Sequence, residues 1–255
     1  MNDRRFPVSP ESMPPAGKGP GLIESAFQKL FTRQSRVESI EELNAKFRLI
    51  TLSGDALKKV TWTPGDKLQV QLGGWVQRTY TPLDWISEEG RTRILIYLHA
   101  DGPGTGWARS LRVGDACTLF GPRRSINLTQ LRRPAIFFGD ETTFGLARAL
   151  RSMTRETEGV EFLFEVSTPS ESLPALEHLG LTKAQHCVRA DGEAHLPELE
   201  TRMLELLDSH HPAQFVLAGR STAIQRLRQV LRQRGCYASQ FHTRAYWAPG
   251  KKGLD

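Results

Sequence analysis

The residues best suited to bind a phosphate and a flat ring lie together at positions 78–81, which read Arg-Thr-Tyr-Thr. The planar guanidinium of Arg78 can donate two parallel hydrogen bonds to a pyrophosphate. In an extended chain Tyr80 points to the same side as Arg78, so its ring could lie against a flat heteroaromatic such as isoalloxazine. Thr79 and Thr81 add hydroxyls, and Thr81 could hydrogen-bond a ring nitrogen. A surface strand with a half-buried tyrosine is the alternative interpretation.

A glycine-rich segment begins at His99 and reads His-Ala-Asp-Gly-Pro-Gly-Thr-Gly-Trp-Ala. It follows the apolar strand predicted over Ile94–Leu98 and leads into a predicted helical turn, so its backbone N–H groups would suit a phosphate. Its spacing is not that of the dinucleotide fingerprint, and a plain turn is the alternative. The candidate binding residues in this segment are His99, Asp101, Thr105, Gly106, Trp107 and Ala108.

Two further turns follow predicted strands of a parallel sheet, at Gly139-Asp140-Glu141-Thr142 and at Gly219-Arg220-Ser221-Thr222. Ligands of open α/β sheets bind at the carboxyl ends of the strands, where both turns would lie. The N–H group and hydroxyl of Thr142 could meet a pyrophosphate, and Arg220 could hold a phosphate. A simple helix-capping role for Thr142 is the alternative.

The last stretch of the chain carries two aromatic residues and two cations, Tyr246-Trp247 and Lys251-Lys252. Trp247 could cover a planar cofactor, and the lysines could attract an anion. Alternatively, Trp247 packs under a sheet and the lysines are solvated.

The elements that position these residues fall into two patterns. From Ala45 to about Arg133 apolar residues alternate with polar ones, as at Leu68, Val70 and Leu72, and turn residues separate the segments. This pattern predicts a closed antiparallel sheet.

After Arg133 short apolar strands alternate with helices. This order predicts βαβ units and a doubly wound parallel sheet. We therefore expect a β-barrel domain over 37–133 and an α/β domain over 134–255, preceded by a flexible, proline- and glycine-rich extension over 1–36.

Composition excludes several classes of protein. No apolar run approaches the roughly 20 residues that a membrane-spanning helix needs, and no secretory signal is evident, so we expect a cytoplasmic protein without an integral membrane segment. Three scattered cysteines predict neither a disulfide framework nor a metal site. The net charge of +6 favours an anionic ligand.

A non-catalytic binder of an acidic polymer is an alternative that the charge permits. It would use the arginine cluster at Arg226, Arg228, Arg232 and Arg234. These arginines form largely the polar face of one predicted helix, so we expect a solvated surface and no nucleic-acid partner.

Five motifs, taken in order, resemble those of the siderophore-interacting proteins of the ferredoxin–NADP reductase-like superfamily. They are Arg-x-Tyr-Thr, the His-x-Asp-Gly-Pro segment, Gly-Pro-Arg at 121–123, Gly-Asp-Glu-Thr at 139–142 and the terminal Tyr-Trp. The resemblance covers residues 40–255. It implies a barrel that binds FAD, a second domain that binds NAD(P)H, and reduction of an anionic ferric siderophore from Fe(III) to Fe(II).

Carried over by position, the resemblance implies that Arg78 holds the FAD phosphates and that Tyr80 and Thr81 contact the isoalloxazine. It implies that His99 lies near the adenosine half of FAD and that residues 105–108 bind phosphate. It also implies that residues 139–142 form part of the site for the nicotinamide nucleotide. It implies neither a protein catalytic residue nor a resident metal, because the flavin carries the chemistry.

Two further expectations concern the nucleotide and the substrate. The family's usually acidic segment after the second α/β strand reads Ser167-Thr168-Pro169-Ser170 here, which favours NADPH. Lys46, Lys251 and Lys252 are the candidates for binding the ferric chelate. A related flavin oxidoreductase that acts on ferredoxin or another acceptor is the alternative function.

Overall fold

Seven antiparallel strands form the first half of the structure, a computed structural model that describes residues 32–74, 76–99, 101–153 and 159–250. They hydrogen-bond in the order β4-β3-β7-β1-β2-β6-β5. The edge strands β4 and β5 are joined by Thr81 alone, so the sheet curls until its edges meet. The strands are β1 Thr32–Glu42, β2 Phe47–Ser53, β3 Asp66–Gly73, β4 Val76–Tyr80, β5 Pro82–Ile86, β6 Arg91–Tyr97 and β7 Ala116–Arg124.

Alternating apolar side chains fill the interior of this barrel. Leu68 and Val70 of β3 and Ile94 and Ile96 of β6 are buried, whereas the residues between them are at least partly exposed or polar. Successive side chains of a strand point to opposite faces, so one face of each strand supplies the core. The helix α1, Pro103–Ser110, lies between β6 and β7 in the chain and closes one side of this core through Ala108.

The second half is a five-stranded parallel sheet with helices on both faces. Its strands hydrogen-bond in the order β10-β9-β8-β11-β12. The strands are β8 Ala135–Gly139, β9 Val160–Val166, β10 Gln185–Val188, β11 Gln214–Arg220 and β12 Phe241–Trp247. The helices are α2 Phe144–Ser152, α3 Pro169–His178, α4 Leu196–Ser209 and α5 Ser221–Gln233.

The central strand β8 shows how the two helical layers arise. Phe137 lies in one apolar core with α2 and α3, whereas its neighbours Ile136 and Phe138 lie in a second core with α4 and α5. All five residues of β8 are buried, which explains why this strand reads as a continuous apolar run.

The two sheets share an apolar core and therefore hold a fixed relation to each other. The ring of Phe47 in β2 stacks on that of Phe144 in α2, with centroids 5.3 Å apart, and on that of Tyr97 in β6, 5.0 Å apart. Nearby, Nδ2 of Asn44 donates to the backbone carbonyl of Glu171 at 2.8 Å. Side chains from both halves thus set the width of the space between them.

The antiparallel sheet followed by a doubly wound parallel sheet confirms the predicted fold class. The apolar strand β9 and the amphipathic helix α5 both belong to this second half. Helix α5 ends at Gln233, and Gly235 has the positive φ of 85° that favours glycine after a helix.

Three elements differ from the sequence predictions. Strand β1 begins at Thr32 and pairs with β7, so residues 32–36 belong to the barrel and not to a flexible extension. Helix α3 was not predicted, because it carries Pro169 in its first turn and Pro174 inside it. Strand β12 was not predicted either, because its residues show no alternation of buried and exposed positions. Within the described residues, none of the helices combines the length and apolar character needed to cross a bilayer.

Candidate functional site

A cleft of about 610 Å³ separates the barrel from the carboxyl edge of the parallel sheet. This volume lies within the range of roughly 300–1,000 Å³ that is typical of small-molecule sites. The lining residues come from both halves of the chain and are Lys67, Arg78, Thr79, Tyr80, Thr81, Leu95, Ile96, Tyr97, His99, Gly102, Gly104, Thr105, Ser125, Glu141, Thr142, Gly145, Ser167, Arg189, Arg244, Ala245, Tyr246, Trp247 and Ala248.

Strand β4 and helix α1 form the first part of the barrel wall. Arg78 and Tyr80 lie in β4, where they pair with Val70 and Leu68 of β3, and both line the cleft. Arg78 is exposed, and its Nη1 donates to the carbonyl of Gln77 at 2.7 Å, which leaves its other donors toward the cleft.

Tyr80 presents its ring between the cleft and α1. Its ring lies 6.4 Å from that of Trp107, centroid to centroid, with nearly parallel planes. Burial raises the pKa of the Tyr80 phenol to about 12, so it stays protonated at neutral pH. Trp107 does not line the cleft itself but supports Tyr80 from behind.

The first turn of α1 is open to the cleft. Gly102 precedes the helix, and no side chain of the described residues caps its N-terminus. A Cβ atom at Gly104 would lie 3.3 Å from Cγ of Arg78 and 3.6 Å from Oη of Tyr80. Glycine therefore keeps open a space beside an exposed guanidinium and an uncapped helix N-terminus, and that combination fits a pyrophosphate.

Thr81 joins the barrel wall to the opposite wall. Its Oγ1 lies 2.8 Å from Oη of Tyr246, which belongs to β12. Burial raises the pKa of the Tyr246 phenol to about 12, so this hydroxyl also stays protonated at neutral pH. The sequence marked Tyr246 only as one of two terminal aromatics, because the approach of β12 to Thr81 depends on the tertiary fold.

His99 forms an aromatic pair at the mouth of the cleft. Its ring stacks on Tyr97 with centroids 5.1 Å apart, and its Nδ1 lies 3.2 Å from the Tyr97 carbonyl oxygen. The His99 ring is exposed and lines the cleft, so it could contact a base or ribose as the resemblance implies. Tyr97 was not singled out from the sequence, because in the strand pattern it reads as an ordinary polar position.

Behind the opposite wall, Asp140 follows β8 and is fully buried. Its Oδ1 accepts from the N–H of Thr142 at 2.9 Å, and its Oδ2 accepts from Nε1 of Trp247 at 2.8 Å. Burial raises the pKa of Asp140 to about 6. The Thr142 N–H group, which the sequence offered to a pyrophosphate, is already bound by this carboxylate. The capping residue is therefore Asp140, and the alternative that Thr142 is the cap is wrong.

Glu141 lines the cleft and is held by its neighbours. Its carboxylate accepts from the Ser167 N–H at 2.5 Å and from Nη2 of Arg189 at 2.8 Å. Nη1 of Arg189 donates to Oγ of Ser167 at 2.7 Å, and its guanidinium carbon lies 5.6 Å from the ring centroid of Trp247. Glu141, Ser167, Arg189 and Trp247 thus form one connected polar surface.

Arg220 is buried and does not line the cleft. Its Nε and Nη2 each lie 2.7 Å from an oxygen of Glu165, and its Nη1 donates to Glu193 at 2.5 Å. Nε2 of His195 lies 3.1 Å from the same Glu165 carboxylate. This arrangement differs from the predicted phosphate-binding role, because a buried carboxylate that the sequence could not reveal takes up the guanidinium.

Several other predicted site residues also lie away from the cleft. Asp101 is exposed, with Oδ1 3.4 Å from Nη1 of Arg109. Lys46 is half-buried at the start of β2 and does not line the cleft. Lys251 and Lys252 lie outside the described residues. The remaining predicted residues that do not line the cleft are Gly106, Ala108, Gly139 and Asp140.

The cleft carries more positive than negative charge. Four of its lining side chains are cationic, Lys67, Arg78, Arg189 and Arg244, whereas Glu141 is the one carboxylate among the described lining residues. A cleft of this composition attracts anionic ligands. Outside the cleft, Arg226 and Arg234 of the arginine cluster pair with Glu200 and Asp208 of α4, which weakens the acidic-polymer alternative.

Several solved structures share this fold at low sequence identity. A siderophore utilization protein from T. fusca gives a TM-score of 0.69 at 18% identity, covering 88% of this chain and 95% of that chain. The ferredoxin reductase in carbazole 1,9a-dioxygenase gives a TM-score of 0.69 at 18% identity, and the match covers 85% of this chain and 69% of that chain. The FAD/NAD binding domain of a nitric oxide dioxygenase from Vibrio cholerae gives a TM-score of 0.65 at 19% identity, and the match covers 86% of this chain and 100% of that chain.

The fold is thus similar to that of a ferredoxin reductase and of an FAD/NAD binding domain. Two family models then identify the family. The siderophore-interacting FAD-binding domain matches residues 74–126, and the siderophore-interacting protein model matches residues 133–250. The chain is therefore placed among the siderophore-interacting proteins, which confirms the resemblance that its motifs indicate. No curated protein matches the chain.

Proposed function

We propose that this protein is an NAD(P)H-dependent, FAD-containing reductase of ferric siderophores. The observation that carries the proposal is the open cleft that brings the exposed Arg78 guanidinium and the uncapped α1 N-terminus into one space with the carboxyl edge of the parallel sheet. The division into an FAD domain, which ends near residue 133 and includes β1 from Thr32 onward, and a nucleotide domain over 134–255 is part of this proposal.

The residues of the barrel wall fit FAD. Arg78 and the N–H groups beside Gly104 and Thr105 would hold the pyrophosphate. Tyr80 would lie against the ring system, with Thr79 and Thr81 beside it. When bound, FAD supplies the chemistry that no side chain has, since it accepts a hydride and passes on electrons singly.

The opposite wall would receive the nicotinamide nucleotide. Trp247 and Glu141 line the cleft at the carboxyl edge of the sheet, where ligands of such sheets bind. Ser167 and Arg189 present a hydroxyl and a guanidinium where a carboxylate would otherwise meet a ribose 2′-hydroxyl. Because these two groups accommodate a 2′-phosphate, we propose NADPH as the preferred donor.

The reaction balances without a protein acid, base or nucleophile. One NAD(P)H gives up a hydride, equivalent to two electrons and a proton, and two Fe(III) chelates become two Fe(II) chelates, with one proton released. Hard anionic oxygen donors hold Fe(III) far more tightly than Fe(II), so reduction frees the iron. The residues of this chain bind and orient the reactants, and the excess of cations favours an anionic chelate over a cationic one.

Two parts of the proposal extend beyond the cleft. Lys46, Lys251 and Lys252 stay candidates for contacts with the chelate outside the described cleft lining. The location of the protein is proposed to be the cytoplasm, where NAD(P)H is available.

A steady-state assay tests the proposed function. Purified protein supplemented with FAD is mixed with NADPH or NADH, a ferric tris-catecholate and a chromophoric Fe(II) chelator. We expect Fe(II) to accumulate at two equivalents per NADPH oxidised, with NADPH more effective than NADH. NADPH oxidation that proceeds with ferredoxin but yields no Fe(II) from ferric chelates would instead support the alternative acceptor.

A further inference from the structure

A buried histidine lies behind the wall of the cleft that the parallel sheet forms, and it has no part in the function described so far. His195 directly precedes helix α4, its side chain is only 2% exposed, and it does not line the cleft. A buried imidazole usually has a hydrogen-bond partner for each ring nitrogen, so its partners show which groups it holds in place.

The two ring nitrogens of His195 have different roles. Nδ1 accepts from the backbone N–H of Ala190 at 3.1 Å. Because Nδ1 accepts a hydrogen bond, the ring proton lies on Nε2, which donates to Oε2 of Glu165 at 3.1 Å. The Glu165 carboxylate also accepts two hydrogen bonds from Arg220. His195 therefore ties the backbone at Ala190 to a buried ion pair.

Ala190 directly follows Arg189, whose guanidinium lines the cleft. The backbone N–H of Arg189 donates to the Val166 carbonyl at 2.8 Å, and the next N–H, that of Ala190, donates to the imidazole. These two successive hydrogen bonds fix the backbone from which the Arg189 side chain departs. The direction of that side chain therefore depends on a ring that is buried outside the cleft.

The loop over 190–194 contains a turn that needs support. Gly192 and Glu193 have φ angles of 60° and 63°, in the left-handed region that a residue other than glycine rarely adopts. The Glu193 carboxylate accepts from Nη1 of Arg220 at 2.5 Å. Arg220 thus holds this loop near its end, and His195 holds it at its start.

The side-chain contacts of Arg189 do not replace this backbone support. Its Nη1 and Nη2 bond Ser167 and Glu141, but its Nε is buried without a hydrogen-bond partner among the described residues. Oε1 of Glu165 lies 3.8 Å from this Nε, beyond hydrogen-bond reach. A guanidinium held only at its tip follows its backbone, so a shift at Ala190 moves the group that faces the cleft.

We infer that His195 is a positioning residue for Arg189 and, through Arg189, for the 2′-phosphate of NADPH. The inference rests on the proposed NADPH preference and adds the residue outside the cleft on which that preference depends. A displacement of about 1 Å is enough to spoil the hydrogen bonds from a guanidinium to a phosphate. Loss of the Ala190 hydrogen bond therefore weakens the binding of nucleotides that carry this phosphate and spares those that lack it.

A pair of nucleotide fragments tests the inference without electron transfer. The fragment 2′,5′-ADP carries the 2′-phosphate, and 5′-AMP is the same molecule without it. The dissociation constant of each is measured by calorimetry on the FAD-loaded protein, for the wild type, His195→Phe and His195→Asn. Asparagine keeps an oxygen acceptor near the position of Nδ1, whereas phenylalanine keeps the bulk of the ring and has no acceptor.

The matched control is His210→Phe. His210 lies at the other end of the same helix, α4, and its Nε2 is 3.6 Å from Oε1 of Glu161. The control therefore removes a histidine that also contacts a glutamate but has no contact with the loop over 190–194.

We expect His195→Phe to weaken binding of 2′,5′-ADP about tenfold and to leave binding of 5′-AMP within about twofold of the wild type. His195→Asn retains most of the wild-type affinity for 2′,5′-ADP, and His210→Phe retains all of it. A general loss of folding would weaken the binding of both nucleotides, so the difference between them isolates the positioning of Arg189.

Arg189→Gln shows whether His195 acts through Arg189. In the Arg189→Gln background, we expect His195→Phe to cause no further loss of affinity for 2′,5′-ADP, because the group that it positions is already absent. Losses that add in the double variant would show that His195 acts by another route and would overturn the inference.

Three other results would also overturn it. These are an unchanged affinity of His195→Phe for 2′,5′-ADP, equal losses for the two nucleotides, and a His195→Asn variant that binds 2′,5′-ADP as weakly as His195→Phe. A wild type that binds both nucleotides equally would overturn the inference together with the NADPH preference. By contrast, the expected binding pattern in a protein that reduces no ferric chelate would contradict the reductase function and leave the role of His195 standing.

Discussion

The two walls of the cleft use their polar groups in opposite ways. On the barrel wall, the Arg78 guanidinium is exposed and the N-terminus of α1 is uncapped. On the sheet-edge wall, the polar groups of Glu141, Ser167 and Arg189 are bonded to one another, and behind this wall the buried Arg220 is paired with Glu165. The barrel wall therefore has donors available for a ligand, whereas the polar groups of the sheet-edge wall stabilise the fold.

This difference separates the effects of substitutions. Loss of a donor from the barrel wall should weaken cofactor binding and leave stability almost unchanged. Loss of a buried partner from the sheet-edge wall should destabilise the fold, because the remaining charge is left unpaired in the interior. Each prediction below probes one side of this contrast.

The largest effect is expected for Glu165→Ala. Glu165 is fully buried and accepts two hydrogen bonds from Arg220. Its removal leaves Nε and Nη2 of this buried guanidinium without their acceptor, and among the described residues the partly exposed Glu193 is the one carboxylate still paired with it. We expect the free energy of unfolding to fall by about 3–5 kcal/mol, measured by urea denaturation.

The exposed pair Glu198–Arg202 of α4 is the matched control. Glu198→Ala removes the same kind of carboxylate from a pair in water and should cost far less. Equal losses of unfolding free energy in the two variants would show that burial does not determine how much the Glu165 pair contributes to stability.

On the barrel wall, Arg78→Ala should change binding and not stability. Arg78 is exposed, so the urea midpoint stays that of the wild type. The dissociation constant for FAD, measured by fluorescence quenching on the apoprotein, should rise by about one to two orders of magnitude. Arg232→Ala is the control for lost charge. An unchanged FAD affinity would remove Arg78 from the cofactor site.

The hydrogen bond between Thr81 and Tyr246 joins the two walls, and a double-mutant cycle measures it. Thr81→Val and Tyr246→Phe each remove one hydroxyl at nearly constant volume. We expect each to lower the free energy of unfolding by about 1 kcal/mol, with a double variant little worse than either single one. Fully additive losses would show that the two hydroxyls do not interact.

The smallest effect is a pH dependence from Asp140. Its pKa is raised from 3.8 to about 6 in the folded protein, so the native state binds this proton more tightly than the unfolded chain. Relative to Asp140→Asn, the wild type should therefore gain stability as the pH falls from about 6 to 4 and lose that gain as the pH rises through 6.

The fluorescence of Trp247, which donates to Asp140, should report the same titration near pH 6. The signal is obtained as the difference between the wild type and Trp247→Phe. A flat difference between pH 4 and 7 would contradict the raised pKa.

The sequence predicted the barrel wall better than the opposite wall, for a physical reason. Arg78, Tyr80 and Thr81 lie within three residues of one another, so the period of a strand is enough to place them in the cleft. The fold class likewise follows from periodicity, which is a local property of the chain.

The sheet-edge wall depends on contacts between residues that are distant in the chain. Arg220 looked like a phosphate ligand because nothing local shows that Glu165 lies beside it. Arg189 follows the edge strand β10, and Arg244 belongs to the opposite edge strand β12. The strand order that brings both residues to the cleft cannot be derived from periodicity. Long-range pairing of charges is therefore what limited the prediction of the site.

The central claim is that the cleft holds FAD between a source of electrons and a ferric chelate, and the visible spectrum of the purified protein under anaerobic conditions tests it most directly. We predict a yellow protein whose flavin absorbance is bleached by NADPH and restored by adding the ferric tris-catecholate. A colourless protein that takes up no FAD, or a bleached spectrum that the ferric chelate leaves unchanged, would contradict it.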